Sequence, residues 1–178
     1  PSQEAAVAAV RPGARYRDVH RTAARRLTEG RVELGVLRGD VDELVADGVQ
    51  ALFFPHGVGR LLGLDVHDME DLGDRAGYAP GRSRSAQFGL SNPRLDRDLA
   101  SGMAVTIEPG FYRVPAILAD PDLTRVAGGR LDRDALARFA DVRGVRIEDD
   151  VLVTDEGAAV LTASVPKAPG EVEAALGA

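Results

Sequence analysis

The sequence contains no cysteine. Disulfides and thiolate metal sites are therefore excluded, and the chain is compatible with a reducing, cytoplasmic setting. Lysine is nearly absent as well: Lys167 is the only one, and the other basic residues are arginine, which reads as coding bias and not as a phosphate-binding signal. The net charge of −6 argues against general nucleic-acid affinity, because phosphate binding is driven by cationic surface. No apolar run approaches the about 20 residues needed to cross a membrane. The opening Pro1-Ser2-Gln3-Glu4 has no basic flank and no long apolar stretch, so no secretory signal is expected. It also has no initiator Met, which points to processing or truncation. There is no internal repeat and no linker with a sharp change of composition.

What remains is an ordinary globular interior, 44% hydrophobic over 178 residues, enough for one core. The alanine-rich stretch from Ser2 to Val10 reads as the end of a helix, stopped by Arg11-Pro12-Gly13. A second helix follows, because Tyr16, Val19, Ala23 and Leu27 recur on one face while Arg17, Arg21 and Arg25 lie outside it. His20 sits close to that apolar face, and packing or a local hydrogen bond is its expected role. Gly30 ends or interrupts the helix, with Val32 to Leu37 as a possible continuation. Asp40 is placed to cap a short helix through Val45.

Beyond Leu52 short apolar segments, glycine and proline replace helical periodicity. Two of the three histidines, His56 and His67, fall in one glycine-rich stretch from Phe53 to Asp68. Imidazole exchanges protons near neutrality, so a buried pair there is a candidate site. Phe53, Phe54, Val58, Leu61, Leu62, Leu64 and Val66 are expected to hold the stretch against the core. Residues 73–98 form a long polar segment rich in Arg, Gly and Ser, of the kind that lines a site or covers a surface.

Met103 to Tyr112 reads as a strand that bends at Pro109-Gly110, with Met103, Val105 and Ile107 on one side and Ala104, Thr106 and Glu108 on the other. Asp132 is a plausible cap for a helix carrying Leu136 and Phe139 inward. Val145 to Thr154 alternates over its whole length and reads as the clearest strand. Val145, Ile147, Val151 and Val153 share a face broken only by Asp149, and Arg146, Glu148 and Asp150 share the other. Residues 159–161 give one more short strand, and the tail from Pro166 a loose helix. The expected fold class is α+β, as a single unit.

Glu108 and Glu148 each stand on the polar face of an apolar strand. In one sheet they would share a pocket, where two carboxylates resist ionisation unless a cation or a shared proton offsets them. A divalent metal is one solution. Pairing with arginine at a rim is the other, and Arg146, two residues from Glu148 on the same face, is placed for it.

Three ordered motifs carry a family resemblance. Pro55-His56-Gly57-Val58-Gly59 running on to Leu62-Gly63-Leu64-Asp65-Val66-His67-Asp68, then Thr106-Ile107-Glu108-Pro109-Gly110-Phe111-Tyr112, then Val145-Arg146-Ile147-Glu148-Asp149-Asp150, resemble the C-terminal half of the aminopeptidase P and prolidase family. The resemblance runs through most of the chain. It implies part of a pita-bread fold, a curved antiparallel sheet with helices on its outer face, with residues 1–178 as one C-terminal fragment of the catalytic domain. It implies hydrolysis of the Xaa-Pro bond in peptides with proline at the second position, by water shared between two metal ions, usually manganese. By position, Glu108 and Glu148 match metal ligands, and Glu108 would also assist proton transfer. His67 matches a histidine that hydrogen-bonds the substrate, His56 one near the substrate pocket, and Arg146 an arginine that orients the site.

Two departures stand against this. The family's two ligand aspartates come from a strand pair upstream of the helix with which this chain opens. The family's ligand histidine stands seven residues before the position of His67, and Arg60 occupies that place. Arginine stays protonated and cannot coordinate a metal. Three of five ligands are thus missing, and the isolated chain is expected to be inactive. Arg60 would instead pair with Glu108, Glu148 or both. A non-catalytic relative that binds peptides or a partner is the alternative, and an open sheet edge makes self-association an expectation.

Overall fold

The computed structural model describes residues 2–177. Helix α1 (Ser2–Ala8) is followed by the long α2 (Tyr16–Glu33). Of the apolar stripe read from the sequence, Tyr16, Val19 and Ala23 are inaccessible and Leu27 is partly buried. Asp18 lies in the first turn of α2 and Arg31 in the last, each at the end of the helix dipole that favours its charge. Gly30 does not stop the helix. It continues to Glu33, and the chain then leaves through Gly35 at φ +72°, a left-handed conformation that glycine adopts without strain. Helix α3 (Val41–Ala46) starts at Asp40, whose carboxylate accepts from the backbone N–H groups of Asp42 and Glu43.

The strands are β1 (Leu61–Leu62), β2 (Ala104–Ile107), β3 (Gly110–Tyr112), β4 (Gly144–Arg146), β5 (Asp149–Thr154) and β6 (Gly157–Val160). β1, β2, β5 and β6 form an antiparallel sheet in the order β1-β2-β5-β6, and β3 pairs with β4 in a separate two-stranded sheet. Short helices fill the connections: α4 (Asp74–Gly77), α5 (Pro115–Ala119), α6 (Pro121–Thr124) and α7 (Arg133–Ala137), with α8 (Pro169–Leu176) in the tail. Asp132 caps α7 by accepting from Ala135 N–H, and Leu136 is buried as expected.

The described residues form two apolar clusters. In one, α1 and α2 cover the four-stranded sheet through Ala6, Tyr16, Val19, Val105, Ile107 and Val151. The other gathers Leu37, Leu44, Leu52, Leu118 and Leu136 around the connecting helices. Phe53 belongs to the second and Phe54 to the first. Each phenylalanine is buried, a contribution of about 2–3 kcal/mol apiece. Together they clamp the chain just ahead of His56.

Three further expectations need correction. Residues 103–112 are not one strand but β2 and β3, which belong to different sheets. Nor are residues 145–154 one strand. Pro109 has no N–H to offer, so the β2–β5 ladder stops at Ile107 opposite Asp149. The chain bends at Ile147 and Glu148, and Gly144–Arg146 pairs with β3 instead, leaving Val145 exposed. Asp149 does lie on the buried face. It is bonded there by Gln3, by Thr162 Oγ1 at 2.5 Å and by Lys167 Nζ at 3.0 Å. The glycine-rich stretch is likewise not held to the core throughout. β1 pairs for only two residues, and the chain then loops out, so Leu64 and Val66 are exposed. His67 goes with them and is not buried.

Candidate functional site

The site is built where the β2–β5 ladder ends. Glu108 follows β2 directly, with its backbone N–H donating to the Val58 carbonyl at 2.6 Å. Glu148 sits in the bend between β4 and β5, and Arg146 is the last residue of β4. Arg60 stands just before β1 and is fixed on both sides of its peptide: its N–H donates to Thr106 Oγ1 at 3.0 Å, and its carbonyl accepts from Thr106 N–H at 2.9 Å. Gly59 makes this approach possible. A Cβ there would lie 2.0 Å from the Thr106 carbonyl oxygen and 2.4 Å from the Tyr16 hydroxyl. That hydroxyl donates to the same carbonyl at 2.6 Å.

The structure brings Glu108, Glu148, Arg60, Arg146, His56 and His67 around one cleft of about 270 Å³. A second hollow of about 420 Å³ adjoins it and shares His56, Arg60, Asn92 and Arg94. Arg60 lies between the two glutamates. Its Nη1 donates to Glu108 Oε1, its Nη2 to Glu148 Oε1 at 3.5 Å, and its Nε to the Val66 carbonyl at 3.0 Å. Glu108 Oε1 also accepts from Thr106 Oγ1 at 3.0 Å, and Oε2 from Arg146 Nη1 at 3.0 Å. The side chains of Arg60 and Glu108 are 15% and 7% exposed, against 35% for Glu148. Partial burial and the neighbouring Glu108 charge push the Glu148 carboxyl up, and the charges of Arg60 and Arg146 pull against that.

His56 is half-buried. Its ring meets Phe54 edge-on at 4.9 Å and Tyr112 at 5.1 Å, and its Nδ1 lies 2.7 Å from the Gly57 carbonyl. Nδ1 is therefore the protonated nitrogen in that contact, and burial lowers the pKa of the ring. His67 Nδ1 lies 2.7 Å from Arg94 Nη1 and 2.8 Å from Glu70 Oε2. These contacts require opposite roles, acceptor towards Arg94 and donor towards Glu70, so only one forms at a time. No motif in the sequence marks Arg94 or Asn92. The only signal for them was the length of the polar segment that carries them.

The donor set does not fit a metal ion. Both oxygens of Glu108 are engaged by hydrogen-bond donors, and a guanidinium fills the space between the carboxylates. Among the described residues no group of three or more His, Cys, Asp or Glu is arranged to hold a metal ion.

The open antiparallel sheet, the helices on its face and the carboxylate-lined cleft at the ladder's end match the pita-bread fold of the aminopeptidase P and prolidase family. Residues 2–155 match the model of metallopeptidase family M24. The chain is 39% identical over 175 residues to a human Xaa-Pro dipeptidase, covering 98% of this chain and 34% of that protein. It is 40% identical over 175 residues to a probable Xaa-Pro aminopeptidase of Paracoccidioides lutzii, covering 96% and 35%. Among solved structures it resembles the aminopeptidase PepP of Pseudomonas aeruginosa with a TM-score of 0.70 and 36% identity, over 99% of this chain and 32% of that one. Zinc-substituted aminopeptidase P of Escherichia coli in complex with product matches with a TM-score of 0.65 and 35% identity, over 97% of this chain and 31% of that one. The chain belongs to metallopeptidase family M24. It spans about a third of the length of the curated relatives it matches.

Proposed function

We propose that residues 1–178 form part of a pita-bread catalytic domain, and that the cleft between Glu108, Glu148 and the two histidines receives peptides with proline at the second position. In this reading His67 and His56 contact the peptide, Arg146 orients Glu108, and Glu108 is the proton-transfer group. In the family the positions of Glu108 and Glu148 carry carboxylates for divalent metal, usually manganese, whereas in this chain Arg60 stands between them. The chain alone does not hydrolyse the Xaa-Pro bond, because metal hydrolases need several ligands to fix their geometry. The observation that carries this is Arg60, seated between the two glutamates. A cytoplasmic setting accords with the absence of cysteine. Among the described residues β1 has a neighbour on one side alone, and its other edge offers itself to pairing with another chain.

The same arginine favours a second reading, a non-catalytic relative that binds peptides without cleaving them. Gly-Pro and Ala-Pro-Pro, with manganese added for the hydrolysis assay alone, test both readings. The expected result is peptide-dependent shifts of the His56 and His67 ring resonances without release of the first residue. Hydrolysis by this chain alone contradicts the inactivity. Unmoved histidine resonances at saturating peptide contradict both readings of the cleft.

A further inference from the structure

We propose that Arg60 is the resident cation of this cleft, holding the position between Glu108 and Glu148 that a divalent ion would need and so excluding the ion. The inference rests on the geometry of the cleft and not on its use of peptides.

Charge balance comes first. Two carboxylates face two guanidiniums, through Arg60 to Glu108, Arg60 to Glu148 at 3.5 Å and Arg146 to Glu108 at 3.0 Å. The set is neutral as it stands. A divalent ion entering beside Arg60 would meet a fixed like charge in a partly desolvated space, where charges interact more strongly than in water. Occupancy comes second. A metal ligand needs free lone pairs, and Glu108 already accepts from Arg60, Thr106 and Arg146, which leaves about one of its four lone-pair sites. Rigidity comes third. The arginine fork uses Nε, Nη1 and Nη2 on three different acceptors, so releasing the space between the glutamates means breaking all three contacts. The backbone cannot carry the side chain away either, because Arg60 is paired to Thr106 through both its N–H and its carbonyl, and Gly59 leaves no slack behind it.

A metal-binding measurement on the full chain tests this without any peptide. Free Mn²⁺ gives an electron paramagnetic resonance signal that is lost on binding. The wild-type chain is expected to leave that signal intact. Arg60→His, which opens the space and adds an imidazole ligand, is expected to bind Mn²⁺ at least about tenfold more tightly. Arg60→His combined with Glu108→Gln returns to wild-type affinity. Arg60→Lys keeps one positive charge and stays at wild-type affinity. Wild-type binding as tight as that of Arg60→His overturns the proposal. So does tight binding that survives Glu108→Gln, a gain in Arg60→Lys equal to that in Arg60→His, or a folded Arg60→His chain that binds nothing. An Arg60→His chain that unfolds in metal-free buffer should regain its native circular dichroism in MnCl₂, and failure to regain it counts against the proposal.

Discussion

Asp96 ties the long polar segment to the start of α2, and its removal should be felt in the stability of that junction. Its carboxylate is fully buried. Oδ1 and Oδ2 each accept from Arg15 at 2.6 Å, through Nε and Nη2, while Arg17 Nη2 lies 2.8 Å away and Arg82 3.8 Å away. Hydrogen bonds to a charged partner are worth about 1.5–3 kcal/mol each, and breaking a buried ion pair costs about 3–5 kcal/mol. The arginines are themselves partly exposed, so water recovers some of that loss. We therefore expect Asp96→Asn to lower stability by about 3 kcal/mol, towards the small end of that range. For a chain of this size that is a fall in melting temperature of about 6–12 °C. Urea unfolding at neutral pH measures the first figure and calorimetry the second. Amide exchange locates the effect. Tyr16 N–H donates to the Arg97 carbonyl at 2.9 Å and Asp96 N–H to the Gly77 carbonyl at 2.8 Å, and both protons should exchange faster in the variant. Acid gives a second check. Burial pushes the Asp96 carboxyl up, but the bond to Arg15 and the charges of Arg17, Arg15 and Arg82 outweigh it and hold the group below the ordinary carboxylate range. Between the folded and unfolded pKa values the unfolded chain binds more protons. The contribution is thus complete above about pH 4 and fades as pH falls through the lower folded value. Wild type and Asp96→Asn should converge there. A loss under about 1 kcal/mol at neutral pH, the size of a surface pair, would refute the reasoning.

Two further outcomes follow from other sites. Gly59→Ala forces a Cβ against the Thr106 carbonyl and should cost about 3 kcal/mol in urea unfolding; a chain as stable as wild type would mean that Gly59 does not lie against that carbonyl. Burial, helped by the charges of His56, Arg21 and Arg17, lowers the His20 pKa from 6.5 to about 3. The folded chain therefore loses stability as pH falls from the ordinary histidine value towards that figure, and His20→Phe, which keeps the ring stacked on Phe54 at 5.1 Å, should remove this loss. Parallel stability–pH curves for wild type and variant over that interval would count against it.

Local patterns carried much of the fold. The stripe of Tyr16, Val19 and Ala23 predicts the buried face of α2, and Asp40 and Asp132 predict the starts of α3 and α7, because spacing and caps act within a few residues. The alternation from Val145 to Thr154 misled, since it is a property of one strand while pairing is a property of two. Pro109, on the partner strand, decided where the ladder broke. Arg31 gave no signal at all. Read as a charge near a helix end it belongs outside, yet it is buried between the rings of Phe53 and Phe111 at 5.1 and 5.3 Å, and burial lowers its pKa to about 9.

By itself the sequence determined the α+β class, the ordered motifs, and that an arginine stands where an imidazole would be needed. These are matters of residue identity and short spacing. Where Arg60 points was decided only by the tertiary structure. Its partners lie 48 and 88 residues away, and they meet it because two strands end at the same proline-imposed break and turn their glutamates into one hollow. Coulomb attraction then fastens the guanidinium between them, an interaction that depends on distance in space and not on separation along the chain.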